Sequence, residues 1–198
     1  MKRSLALFAA LILVSACQQA ATPSPDDAAP TSAPSVAVAS QLPTTEPIPS
    51  DELGEFTCEL PITGTATDPV TANYTDVRVG THDGYDRVVI EFANGVPEMS
   101  LDRAEPPFVQ DASGLPLDVQ GNSVLKLVMR NATALTESGE IRYDGPRDFD
   151  PGFPQLTDVL AGGDFEAMTT WYIGLNDEGC VRVLSLSDPD RLVIDVEH

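Results

Sequence analysis

Two stretches of the chain read as one hairpin written twice. Residues 77–92 (VRVGTHDGYDRVVIEF) and 181–196 (VRVLSLSDPDRLVIDV) align without a gap at an offset of 104, with seven identities in sixteen positions and four further close replacements. Each copy is an apolar-alternating run, a polar turn, Asp-Arg, and a second run. Side chains alternate across a strand, so Val88, Ile90 and Phe92 share a face, as do their counterparts Leu192, Ile194 and Val196. These six are expected to be largely buried. Arg87, Glu91, Arg191 and Asp195 lie on the other face and are expected to be more exposed. The duplicated hairpins are expected to pack in two sheets, giving a sandwich with approximate internal symmetry.

The rest of the folded part agrees. Helical periodicity is scarce, while short alternating runs between Gly, Pro, Asn and Asp clusters are common. In 124–130, Leu125, Leu127 and Met129 point one way and Val124, Lys126, Val128 and Arg130 the other. Leu115, Leu117 and Val119 alternate just before, and Gln120-Gly121-Asn122-Ser123 is expected to turn the two runs into a hairpin. In 169–175, Trp171, Ile173 and Leu175 form a core face opposite Thr170, Tyr172 and Gly174. The expected fold class is all-β, an antiparallel β-sandwich with an internal hairpin repeat.

The repeat segments, with GDFEAMTTWYIGL between them, resemble the AMIN-like domain of bacterial envelope lipoproteins over about residues 74–197. That family is related in outline to AMIN domains, β-sandwich modules of two small sheets. AMIN domains occur beside peptidoglycan amidases and in secretin pores, where they target a protein to the wall. The resemblance therefore implies binding without catalysis, and it assigns no binding residue.

The N-terminus implies export. Lys2 and Arg3 precede an apolar run of ten residues, 5–14, far short of the roughly 20 a membrane-spanning helix needs. The run fits a signal-peptide core over residues 1–16. It ends in Val14-Ser15-Ala16-Cys17, which resembles the bacterial lipobox, so Cys17 is expected to carry the lipid that anchors the protein on the outer face of the cell membrane. Residues 17–52 then form a lipidated linker with seven prolines and no aromatic residue. Such a segment buries too little apolar surface to offset its ordering entropy and is expected to be disordered. It reaches about 33 Å as a coil and about 110 Å in polyproline form, a stalk beneath a domain at 53–198. Cys58 and Cys180 remain, and an even pair in an exported domain most simply forms a disulfide. Closing so long a loop is worth up to about 4.7 kcal/mol by chain entropy.

Charge and chemistry narrow the function. Without Lys2 and Arg3 the chain keeps 9 of its 11 basic residues against 31 acids, a net charge of −22. A surface of that sign repels nucleic acid, anionic lipid and anionic wall polymers at long range, so no nucleic-acid partner is expected. The two histidines are His82, in a turn, and the last residue, His198. No zinc-protease helix, hydrolase elbow or phosphate loop is present in the sequence. No cofactor and no metal is expected. Asp144, Asp148 and Asp150 lie in a Gly- and Pro-rich loop that reads as a solvated loop or as calcium ligands, although without a known calcium-loop spacing. The Arg–acid pairs of the repeat read as a cross-strand ladder or as a ligand site using Arg87 and Arg191. Tyr172, expected to face outward, is a candidate platform for a sugar ring. Two function classes follow: a non-catalytic envelope lipoprotein that binds a peptidoglycan component or a wall-associated protein, or a small envelope enzyme or metal-dependent sensor using His82 and nearby acids.

Overall fold

The computed structural model describes residues 53–198; the leader, Cys17 and the proline-rich segment lie outside the described residues. Strands form where the sequence alternates: β1 (Ile62–Gly64), β2 (Ala72–His82), β3 (Tyr85–Phe92), β4 (Glu98–Arg103), β5 (Ser123–Arg130), β6 (Ala132–Thr133), β7 (Asp148–Phe149), β8 (Leu156–Phe165), β9 (Met168–Leu175), β10 (Val181–Leu186) and β11 (Asp190–Glu197). A six-stranded sheet has the order β1-β4-β5-β9-β8-β7 and a five-stranded sheet the order β10-β11-β3-β2-β6. Their pairings are antiparallel except β2 with β6. Among the described residues there is no helix. The molecule is thus the all-β sandwich that the alternation predicts. Trp171, Ile173 and Leu175 face Val88, Ile90, Leu192 and Ile194 across one shared core, and all seven are 2 % exposed or less.

Both repeat hairpins form, as β2–β3 and β10–β11. The expectation that they pack in two sheets is overturned, because both lie in the five-stranded sheet. The reason is in the sequence of their second strands. β3 pairs with β11 so that Val89 lies opposite Val193, the equivalent position in the other copy (89 + 104 = 193). Arg87 then lies opposite Asp195, and Glu91 opposite Arg191. A strand with Arg on one side of a central Val and an acid on the other complements an inverted copy of itself. The duplicated strand is its own best partner, and the sheet has a pseudo-two-fold axis through Val89 and Val193.

The two halves of that symmetry differ in burial. Val88, Ile90, Phe92, Leu192, Ile194 and Val196 are each 3 % exposed or less, as expected. Asp195, expected to be exposed, is 0 % exposed, which corrects the simple in/out pattern. Arg87 binds it through Nε (2.6 Å) and Nη2 (2.9 Å), and Arg182 of β10 through Nε (3.0 Å) and Nη2 (2.7 Å). Arg182 also donates to the Gly54 carbonyl and stacks over Phe56, 4.4 Å from the ring centroid. The segment from Leu53 to Cys58 therefore lies as a strap across the outer face of this end of the sheet. Thr57 bridges to Val181, and Cys58 and Cys180 are joined by the expected disulfide. The equivalent pair in the other copy, Arg78 with Glu91 at 3.2 Å, has no such cover: the two side chains are 40 % and 29 % exposed.

A second correction concerns residues 104–122. Leu115, Leu117 and Val119 do not pair with β5, which is flanked by β4 and β9. The segment folds on itself instead, with Leu117 N–H donating to Phe108 O (2.9 Å) and Gln110 N–H to Leu115 O (2.8 Å). It then lies over the outer face of the six-stranded sheet. Gly174 makes this close approach possible, since a Cβ there would sit 1.8 Å from Gln120 O.

The symmetry yields a contrast between equivalent residues. Asp195→Ala leaves two largely buried guanidinium groups without their counter-ion, and such losses typically cost about 3–5 kcal/mol. Glu91→Ala breaks an exposed pair worth about 0–1 kcal/mol. Denaturant unfolding of the two variants is expected to show that difference, and equal losses would contradict the buried cluster.

Candidate binding groove

The side chains singled out from the sequence do not converge. Arg87 and Arg191 occupy opposite ends of the outer face of the five-stranded sheet, and Tyr172 lies on the outer face of the other sheet. Arg87 has its guanidinium engaged by Asp195, and Arg191, half-buried, donates to Pro189 O. Tyr172 does point away from Trp171, yet it is 3 % exposed, which corrects the idea of an open platform. Phe108, Leu117, Val119 and Val124 cover it, and its hydroxyl donates to Val109 O. Period-two alternation gives the direction of a side chain but not what a loop will lay over it.

His82 ends β2 and is exposed, its ring stacked on Tyr85 at 4.8 Å. Partial burial and then the Arg87 charge lower its pKa. The neighbouring Asp86 turns inward instead, accepting the Gln155 and Leu156 N–H groups and thereby tying β3 to the start of β8. His198 approaches Asp86 at 3.5 Å. Asp144, Asp148 and Asp150 are exposed. Among the described residues no three His, Cys, Asp or Glu side chains are grouped to hold a metal ion.

A groove of about 850 Å³ lies at the end of the five-stranded sheet where β2 begins and β3 ends. It is lined by Val70, Thr71, Asn73, Asn94, Thr133 and Leu135, with Thr136, Glu137, Ser138 and Arg142 along one side. Its shape follows from local hydrogen bonding. A bulge at Thr75 in β2 turns Tyr74 into the core, where its ring packs against Tyr143. Burial and then the Asp164 carboxylate push the Tyr74 phenol well above its ordinary pKa, so it stays a neutral donor to Asp164. Asp164 also accepts Thr133 Oγ1 (3.0 Å) and Ala134 N–H (2.7 Å), fixing β6 and the chain beyond it. The Asn73 amide donates to Leu135 O (2.7 Å), and Asn94 accepts Asn73 N–H (3.0 Å). Thr136 caps a turn by accepting Glu140 N–H.

The result is a preformed concave surface. One acid and one base balance its charge, Val70 and Leu135 are 49 % and 44 % exposed, and the other lining side chains are amides and hydroxyls. Neither Glu137 nor Arg142 is in an ion pair among the described residues. Sequence reading missed this site. The Thr-, Ser- and Asn-rich run at 131–138 signals a turn, but nothing in it shows that Asn73 and Asn94 fold against it.

Asp158 on β8 offers a pH test of how the 104–122 segment is held. It is 4 % exposed, and one carboxylate oxygen accepts Gln120 N–H at 2.8 Å. Burial raises its pKa, the Gln120 bond opposes the shift, and Asp148, Asp150 and Asp118 add to it. A raised folded-state pKa gives a contribution fully present below the unfolded value and lost as pH rises through the folded one. Asp158→Asn, which keeps an acceptor without the charge, is expected to melt higher than the wild type at pH 7, with the gap closing as pH falls through the raised folded-state pKa and gone below the unfolded value of about 4. An unchanged gap across that range would contradict the reading.

The family model of the AMIN-like domain matches residues 72–198, from the first residue of β2 to the last residue of the chain. No curated protein and no solved structure matches the sequence. The match covers both repeat hairpins, the six-stranded sheet from β4 onward and all of the groove's lining except Val70 and Thr71, and the chain belongs to the AMIN-like domain family.

Proposed function

We propose that the domain is a non-catalytic binding module of the bacterial envelope, which holds an uncharged glycan stretch of peptidoglycan in the groove between Asn73, Asn94 and Leu135. Membership of the AMIN-like family points to a cell-wall-related domain. The observation that carries the finer reading is the groove's composition. On a mature chain of net charge −22 it offers amides, hydroxyls, two exposed aliphatic side chains and a balanced Glu–Arg pair. Broad attraction to an anionic polymer is unavailable to such a chain, so recognition must rest on local hydrogen bonds and apolar contact. Each net hydrogen bond is worth about 0.5–1.5 kcal/mol, which makes a single site weak and clustering on a membrane important.

The position of the groove supports the same reading. The strap and its disulfide hold the chain's entry at the end where β3 begins, whereas the groove is at the end where β3 finishes. Eight residues of strand separate them, roughly 25 Å. With a lipid on Cys17 and a linker through residue 52, the chain would enter the domain at the end opposite the groove. Loss of acyl labelling in Cys17→Ser tests the anchor, and unchanged labelling would remove it from the proposal.

Co-sedimentation of the mature chain with purified sacculi tests the binding function. Leu135→Asp, in the groove, is expected to lower retention about tenfold, equivalent to about 1.4 kcal/mol. Leu115→Asp, 60 % exposed on the other sheet's loop, is expected to leave it unchanged. Absence of wild-type retention, with only envelope proteins recovered by in-cell crosslinking, would replace the glycan with a protein partner. Equal loss in both variants would discard the groove.

A further inference from the structure

We propose that a second cleft, on the opposite sheet, is a separate docking site for a short basic segment of a partner protein. This does not rest on the wall-binding reading, because the two sites share no residue. The cleft measures about 580 Å³ and lies between the 104–122 segment and the turn that joins β9 to β10. Its size is within the range of pockets that hold a ligand of several side chains' bulk.

Three features select the occupant. The floor is apolar, made by Phe108, Leu117, Val119 and Val124, which belong to the cluster over Tyr172. The rim carries Glu105, Asp118 and Glu178, all exposed and none in an ion pair among the described residues. The cation that lines the cleft, Arg103, is fixed in its wall: Nη1 donates to Ser123 Oγ (2.8 Å) and Nη2 to Gly179 O (3.0 Å). Three carboxylates against one guanidinium leave the rim with a local charge of −2. An apolar floor under such a rim suits Lys or Arg next to aliphatic residues and repels an anionic glycan or a nucleic acid. Pro106, Pro107 and Pro116 stiffen the wall, since proline fixes its own backbone torsion, and a stiff wall lowers the ordering cost of binding.

The competing explanation is general attraction of any cation to an acidic protein, so the experiment compares two equal losses of charge. The probe is a fluorescein-labelled peptide, Leu-Lys-Pro-Leu-Lys, followed by fluorescence anisotropy with the full mature chain. The triple variant Glu105→Gln, Asp118→Asn, Glu178→Gln is expected to weaken binding at least tenfold, about 1.4 kcal/mol. The control Glu137→Gln, Glu140→Gln, Glu166→Gln removes the same charge from exposed side chains at the opposite end of the strands and is expected to weaken it less than about twofold, as distant surface charges are screened. The peptide Leu-Glu-Pro-Leu-Glu is expected not to bind. No binding of the lysine peptide, or equal weakening by the two triples, would overturn the proposal. Both triples change only exposed side chains, and matching melting temperatures exclude misfolding as the cause.

Discussion

The Asp195 carboxylate is the point on which the arrangement of this domain turns. It sits on the pseudo-two-fold strand pair β3–β11, fully buried, with the guanidinium groups of Arg87 and Arg182 as its partners. A buried carboxylate is tolerable only when it is fully paired, and here four N–H bonds reach its two oxygens. Arg182 in turn holds the Gly54 carbonyl and the Phe56 ring, so the strap is bound to the same cluster that locks the central strands. The disulfide then fixes the strap at Cys58. One ion cluster thus sets both the register of the duplicated strands and the place where the N-terminal segment leaves the domain.

That placement gives the domain two unlike ends. Arg87, which looks available for a ligand, is drawn with Arg182 into structure at the strap end, and Arg191 at the other end donates to Pro189 O. The far end keeps an open concave surface, shaped by the Asn73–Asn94–Thr133 hydrogen-bond system. That groove is braced by buried Tyr74 and Tyr143 and by half-buried Asp164, which bonds Thr133 and Ala134. A neutral concave surface on a strongly acidic protein is a place where an uncharged ligand meets no electrostatic penalty. On the opposite sheet, the apolar cluster over Tyr172 supports a cleft of different character, with an acidic rim.

Much of the fold was legible because strand patterning is local. The alternation in 88–92, 125–129, 171–175 and 192–196 assigned the core-facing side of each strand correctly, and the repeat foretold both hairpins. What was not legible depends on contacts between distant segments. Asp195 reads as an exposed strand acid until β3 is known to pair with β11 and the Leu53–Cys58 strap to cover Arg182. Tyr172 reads as open until the 104–122 segment closes over Gly174. The bulges at Thr75, Thr157 and Gly162 shift the side-chain parity within β2 and β8, so simple alternation fails there. The groove draws on segments near residues 70, 94 and 135, and no motif within any one of them marks it.

The central claim is that recognition of the wall resides in the neutral groove and not on the arginine-bearing sheet face. Amide chemical-shift mapping during titration with a soluble, uncharged glycan fragment of peptidoglycan tests it most directly. The account predicts shifts confined to Thr71, Asn73, Asn94 and residues 133–142, with Arg87, Arg191 and Tyr172 silent. Shifts centred on Arg87 and Arg191, or spread evenly over the surface, would contradict it.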